Sequence, residues 1–318
     1  MKDDAIAPVI AVMLILAAIV TFFSIWNAIY VPSMKESSEV EHIQNVESSF
    51  QKFSSDIDYA VSSHLDYLTF SEPVQLGGGD VMVNLLKSSG TISVRNEDNP
   101  IYNLTLTNTT GVPVALLNGT IVNFSYESVG NFWQDQGYQW QYGYLNVTKN
   151  DGELKTPLSY YNMTDVSNSF SNPKSPLASL ASSFGKFDYT INTTQPSDNS
   201  TDLGGNCSSL NIWAVNISAS PDHHFISSNG EGTLSLTTAI NETSYIGVSN
   251  ITLSSDNGMF GNVTANNWDT NFIAVENACP GDVGIDPENP PLQLNITQTP
   301  DRPVTVVLYA VNIQVSAY

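Results

Sequence analysis

Residues 5–31, AIAPVIAVMLILAAIVTFFSIWNAIYV, decide how this chain is built. No charged residue occurs between Ala5 and Met34, and Lys35 ends the run. These 27 residues exceed the roughly 20 that a helix needs to cross the apolar core of a bilayer. A helix buried in a soluble core would show a polar face within that length. A cleaved secretory signal has a basic start, a shorter apolar run and a small-residue cleavage site. Here Lys2 is followed at once by Asp3 and Asp4, and no Ala-x-Ala site stands before Lys35. The stretch therefore predicts a membrane-type helix over residues 5–34.

The run passes into a second pattern with no turn between them. Val40, Ile43, Val46, Phe50, Phe53, Ile57, Val61, Leu65 and Leu68 step by three or four, the spacing of one helical face. Glu36, Glu39, Glu41, Gln44, Glu47, Lys52 and Asp56 fill the gaps as the solvated side, where His42 and His64 are also expected. The prediction is an amphipathic stalk helix over 35–70, continuous with the first and together on the order of 100 Å long. Pro32 at the junction predicts a kink, and Pro8 costs little in a first turn.

Within the apolar half, Ala17, Thr21, Ser24 and Ala28 form a stripe of small residues, with Ala7 and Ala11 an earlier pair. Small residues let helix backbones approach closely in an apolar surround. The stripe is thus the expected seat of a neighbouring helix. Asp3 and Asp4 stand where the helix dipole favours negative charge.

Residues 3–14, Asp-Asp-Ala-Ile-Ala-Pro-Val-Ile-Ala-Val-Met-Leu, resemble the N-terminus of archaeal type IV pilin-like proteins. The shared pattern is an acidic residue, Ala, an apolar residue, a small residue, Pro-Val-Ile and a long apolar run. Ala7 and Ala11 depart from it, since Ser and Gly are usual there. The resemblance covers about 60 residues. It implies a class III signal cut by a prepilin peptidase among Lys2, Asp3, Asp4 and Ala5, leaving residues 1–4 as a leader or processed N-terminus. It also implies a membrane-held precursor and assembly by a platform protein and an ATPase into a homo-oligomeric helical filament. In such a filament Asp3 or Asp4 would neutralise the terminal ammonium of an adjacent subunit.

After Phe70 the pattern changes. Pro73 and Gly77-Gly78-Gly79 break the helix, and segments such as 90–95, 101–107, 119–126, 209–217, 232–238, 249–253 and 304–318 alternate apolar and polar residues, the mark of half-buried strands. The fold class is accordingly α+β: a long N-terminal helix and then an antiparallel β-sandwich-like head over 71–318, in one lobe or two. Residues 159–205, rich in Ser, Asn and Pro, are expected to be an irregular insertion. One helix signal lies inside it at Ser175-Pro176-Leu177, with Leu177, Leu180 and Phe184 as its buried face. Trp133, Tyr138, Trp140, Tyr142 and Tyr144 read either as a sugar-stacking surface or as sandwich core, and core is the expectation.

Fourteen Asn-x-Ser/Thr sequons occur, at Asn103, Asn108, Asn118, Asn123, Asn146, Asn162, Asn192, Asn199, Asn206, Asn216, Asn241, Asn250, Asn262 and Asn295. The 32 Asn and the Ser/Thr content would give about six by chance, and none lies in the first 100 residues. An extracellular head carrying N-linked glycans is expected. Cys207 and Cys279 are the two cysteines, readable as one disulfide or as buried thiols.

The net charge of -21 comes from 10 Lys and Arg against 31 Asp and Glu, with charged residues only 13% of the chain. Scarcity of basic groups argues against nucleic-acid binding, which needs a cationic face. The low carboxylate density argues against a salt-adapted cytosolic enzyme. No Gly-x-Ser-x-Gly, His-Glu-x-x-His or phosphate loop is present. His223-His224 and the loop of Asp282, Asp286 and Glu288 are weak as metal sites, lacking ligand spacing. No catalytic residue and no cofactor beyond glycans is expected. The function expected is that of a structural pilin; the alternative is a membrane-anchored, non-assembling surface glycoprotein, an envelope component or a solute or sugar receptor.

Overall fold

The structure, a computed structural model, describes residues 6–78, 88–130, 136–149, 154–157, 175–192, 206–255, 259–286, 292–298 and 303–318. The chain is helical from Ile6 to Ser63 as α1 (Ile6–Ile25), a π-helical turn (Trp26–Tyr30) and α2 (Val31–Ser63). The π turn follows from Pro32, whose ring displaces the carbonyl four residues back and which has no N–H to give. Widening the turn before it by one residue relieves both, and the Val31 N–H donates to Trp26 O. The irregularity expected at Pro32 is this π-helical turn just before it.

The helix is shorter than its apolar spacing suggests. It ends at Ser63, where His64 takes the left-handed conformation at φ 49°. Thr238 captures the departing chain: its Oγ1 donates to Leu65 O at 2.6 Å and accepts from Leu68 N–H at 2.9 Å. Leu65 and Leu68 keep the helical step, but strand pairing from Thr69 onward overrides it.

The strands that follow are β1 (Thr69–Gln75), β2 (Ser89–Asn96), β3 (Tyr102–Asn108), β4 (Pro113–Gly119), β5 (Val122–Val129), β6 (Gln136–Gln141), β7 (Tyr144–Lys149) and β8 (Leu154–Pro157). A short helix α3 (Pro176–Ser183) leads into β9 (Gly185–Asn192), β10 (Asn206–Ser228), β11 (Glu231–Ile246) and β12 (Val248–Ser255). Helix α4 (Met259–Ala278) precedes β13 (Val283–Asp286), β14 (Leu292–Ile296) and β15 (Thr305–Ala317). A ten-stranded sheet runs β1-β11-β15-β10-β2-β5-β6-β7-β8, with β9 on β10, and a five-stranded sheet runs β13-β14-β12-β3-β4. The α+β architecture is the one expected, a long helix and then a mostly antiparallel region of two sheets. One pairing departs from it: Ser209–Ala219 of β10 lies parallel to Thr305–Val315 of β15. Pro221 falls where that register breaks, between Ala219 and His224, and beyond it β10 pairs with β2. Proline belongs at such a bulge because it cannot donate to a ladder.

From Glu39 onward α2 is not a free stalk but the centre of the head. Val46, Phe50, Phe53, Ile57, Ala60 and Val61 have no exposed surface. Phe50 and Phe53 each pack on Phe124 with ring centroids 5.3 Å apart. Tyr138 and Trp140 are core, as expected, and both reach the helix: the Tyr138 hydroxyl donates to Glu47 and Trp140 Nε1 to Ser54 Oγ. Tyr142, at φ 52°, stands in the turn between β6 and β7, so the expected alternation stops at Trp140; Trp133 lies outside the described residues. Two groups assigned to the solvated side are buried instead. His42 Nε2 lies 2.9 Å from Gln75 O, and Glu39 lies 3.7 Å from Lys35. The Lys52 ammonium donates to the buried Glu72 of β1, which raises the lysine pKa.

The expected insertion at 159–205 holds regular structure where it is described. Ser175 caps α3, its Oγ accepting from Ala178 N–H at 3.1 Å, and Leu177, Leu180 and Phe184 are buried as expected. Strand β9 then joins the large sheet. Helix α4, unforeseen in the sequence, bridges the two sheets. Trp268 packs against Tyr102 of β3 at 5.4 Å and Phe187 of β9 at 5.0 Å. Gly185 permits this, since a Cβ there would sit 1.9 Å from the indole. The buried apolar residues form one cluster spanning both sheets, so the head has one core.

His64 predicts a pH effect. Its ring lies 5.0 Å from Trp213, its Nε2 is buried without a hydrogen-bond partner, and burial followed by Lys186 lowers its pKa below 6.5. Below pH 6.5 the unfolded chain takes up this proton before the folded one does, so this contribution is present above that pH and lost as pH falls below it. His64→Asn keeps a residue tolerant of the left-handed conformation. Denaturant unfolding should show a shallower loss of stability between pH 6.5 and 5 in the variant than in the parent.

Candidate membrane and assembly helix

Every side chain described from Pro8 to Tyr30 is exposed, and none packs on the head. Fifteen of these are large apolar groups, from Val9 at 55% to Tyr30 at 54% exposure. Even at about 1.5 kcal/mol each, covering them is worth on the order of 20 kcal/mol. That exceeds the 5–15 kcal/mol by which a folded domain is usually stable. The segment is one helix, long and apolar enough to cross a membrane.

Its surface has two unlike sides. At about 100° per residue, Ala17, Thr21, Ser24 and Ala28 fall within one narrow stripe. Thr21 Oγ1 donates back to Ala17 O at 2.7 Å, which satisfies the hydroxyl inside the helix and leaves the stripe smooth. Roughly opposite run Phe22, Trp26 and Tyr30, whose rings follow one another at 6.1 and 5.2 Å. One face can admit a backbone and the other is bulky. Asp3, Asp4 and Ala5 lie outside the described residues.

The remaining predicted site residues are scattered over the head. Asn162 and Asn199 lie outside the described residues, and Asn192 and Asn206 are placed only as ends of β9 and β10. Asn118, Asn241, Asn262 and Asn295 are exposed, while Asn103, Asn108, Asn123, Asn146, Asn216 and Asn250 are half-buried. Several of the latter already hold the fold. Asn216 Oδ1 accepts from Thr120 N–H and hydroxyl, and its Nδ2 donates to Asn312 Oδ1 at 3.3 Å. Asn123 Nδ2 donates to Glu97, and Asn108 Oδ1 caps the β3–β4 turn through Thr110 and Val112 N–H.

Cys207 and Cys279 are joined in a disulfide, with Cα atoms 5.5 Å apart. The bond ties the start of β10 to the end of α4, beside a turn in which Asp282 Oδ2 accepts from Cys207 N–H at 2.9 Å. Asp282 is thereby a structural cap. Glu288 lies outside the described residues, and His223 and His224 are exposed. Among the described residues no group of three or more His, Cys, Asp or Glu is placed to hold a metal ion. No family model matches the chain, and no curated protein and no solved structure matches it.

The disulfide closes a loop of 72 residues. Replacing both cysteines by serine should lower unfolding stability by about 2–4 kcal/mol. The check is the urea midpoint of the oxidised parent against the double variant; equal midpoints would mean that the Asp282 turn alone secures this corner.

Proposed function

We propose that the chain is a structural subunit, a pilin, of an extracellular archaeal type IV pilus-like filament. The observation that carries this reading is α1, a naked apolar helix continuous with a helix that forms the core of a packed head. The precursor sits in the membrane through α1. On assembly the small stripe of Ala17, Thr21, Ser24 and Ala28 receives the helix of a neighbouring copy, and lipid is exchanged for protein. The glycosylated head faces outward, for adhesion or surface protection. The resemblance at residues 3–14 supports this and brings with it a prepilin peptidase, a platform protein and an ATPase as partners.

One feature favours the alternative of a non-assembling, membrane-anchored surface glycoprotein. Trp26 and Tyr30 stand at the head-side end of the apolar run, where amphipathic rings settle at a membrane–water interface. A pilin precursor would use the same pair, so assembly separates the readings. Ala17→Leu combined with Ala28→Leu keeps α1 apolar and fills the stripe. The pilin reading expects sheared surface filaments to fall at least tenfold while the chain stays in the membrane fraction. Membrane retention with no filament in either parent or variant would support the anchor instead.

A further inference from the structure

The outward face of the five-stranded sheet gathers sequons into pairs. Asn103 of β3 is registered directly against Asn118 of β4, and Asn250 of β12 directly against Asn295 of β14. All four side chains share the face opposite the buried Leu104, Leu106, Ile251 and Leu294. The same face carries the neutral polar Thr105, Thr107, Thr252, Ser254 and Gln293, with Leu116 of β4 against Thr105 and Asp286 of β13 against Gln293. Facing residues in such a pair have Cβ atoms only about 5 Å apart, so two sugar stems built on them compete for one volume.

The two members of each pair are not equivalent. Asn118 and Asn295 are exposed, whereas Asn103 and Asn250 are half-buried. Asn250 is engaged at both ends of its amide: Nδ2 donates to Asn295 Oδ1 at 2.7 Å, and Oδ1 accepts from Thr252 Oγ1 at 2.6 Å. In that contact Asn295 uses only its oxygen, leaving out the nitrogen on which a glycan is built.

A separate observation concerns the sheet edge. Strand β4 is an edge strand, and Val112, Val114 and Leu116, every second residue, are 54%, 39% and 68% exposed. Its sequence, PVALLNG, has no charged residue. Exposed apolar edges invite pairing with other chains, and proteins normally blunt them with charge, proline or a cover. Here Pro113 guards one end and the sequon Asn118 the other.

We propose that this face is a glycan-bearing surface, with Asn118 and Asn295 modified, Asn103 and Asn250 their unmodified partners, and the sugar at Asn118 covering the apolar edge of β4. The donor is a polyprenyl phosphate- or diphosphate-linked oligosaccharide used by a membrane oligosaccharyltransferase. Asparagine Nδ2 forms the bond to sugar C1 as the C1–O bond to phosphate breaks; Nδ2 gives up one proton, the polyprenyl phosphate or, from the diphosphate donor, the polyprenyl diphosphate leaves, and nothing is oxidised. The inference rests on the surface-exposed glycoprotein head of the proposed function and names where its sugar lies.

The test is glycopeptide mass spectrometry of the full-length chain made in a host with N-glycosylation, extracted in detergent. Occupancy is expected at Asn118 and Asn295. Asn118→Gln and Asn295→Gln should each remove one glycan, while Asn103→Gln and Asn250→Gln should remove none. Asn118→Gln should also raise self-association in light scattering, and adding Leu116→Lys should reverse it. Glycans at Asn241 or Asn262 with none at Asn118 and Asn295 would overturn this inference and leave the glycoprotein head standing. So would both members of one pair occupied on the same molecule. No glycan at any sequon would overturn the glycosylated head together with this inference.

Discussion

The contact between Phe50 and Phe53 of α2 and Phe124 of the large sheet is the constraint on which everything else depends. It turns the second half of one long helix into the core of a head, around which both sheets and α4 close. Because α1 and α2 are one continuous rod, broken only by a π turn, the same contact fixes the direction in which the apolar half leaves the head. A single helix thereby has one half covered by the head and the other half bare. Its second half is satisfied by β-sheet side chains, and its first half is left for a medium the chain does not itself provide.

That division explains the chemistry of the rest. With α1 bare and α2 buried, the head must supply its own stability and its own polar exterior. Stability comes from one core, from the disulfide between β10 and α4, and from side chains that stitch elements together, such as Asn216 between Thr120 and Asn312. Among the described residues, Asn, Ser and Thr supply many of the exposed positions of that exterior. The net charge of -21 then reflects missing Lys and Arg rather than a concentrated acidic patch.

Much of this was legible in the sequence. The uncharged run before Lys35, the buried face from Ile43 to Val61 and the last strand follow from spacing, whereas the alternation at Tyr138 and Trp140 fitted a sugar-stacking surface as well as the core in which they lie. What was not legible had physical reasons. The helix end at Ser63 is set by Thr238, far away in sequence, against a periodicity that continued through Leu65 and Leu68. The burial of His42 and Glu39 depends on which strands close over the helix. The parallel pairing of β10 with β15 leaves no local mark, since each strand alternates as it would in any sheet. Helix α4 did carry a signal: Phe260, Thr264, Trp268, Phe272, Val275 and Cys279 step by four or three. Asn262, Asn266, Asn267, Asn271 and Asn277 concealed it, because asparagine is a poor helix former that usually marks turns. Of the candidate helix, the small stripe was readable, while the aromatic ladder opposite it emerged from the ring geometry.

The account stands on what covers α1. Electron cryo-microscopy of filaments shed from cells producing the chain, with mass spectrometry to identify the subunit, measures this directly. The account predicts a helical lattice with α1 at the axis and Ala17, Thr21, Ser24 and Ala28 within contact distance of a neighbouring α1. Extraction of the chain from the same cells only as isolated monomers, with α1 surrounded by detergent or lipid and no filament containing it, would contradict it.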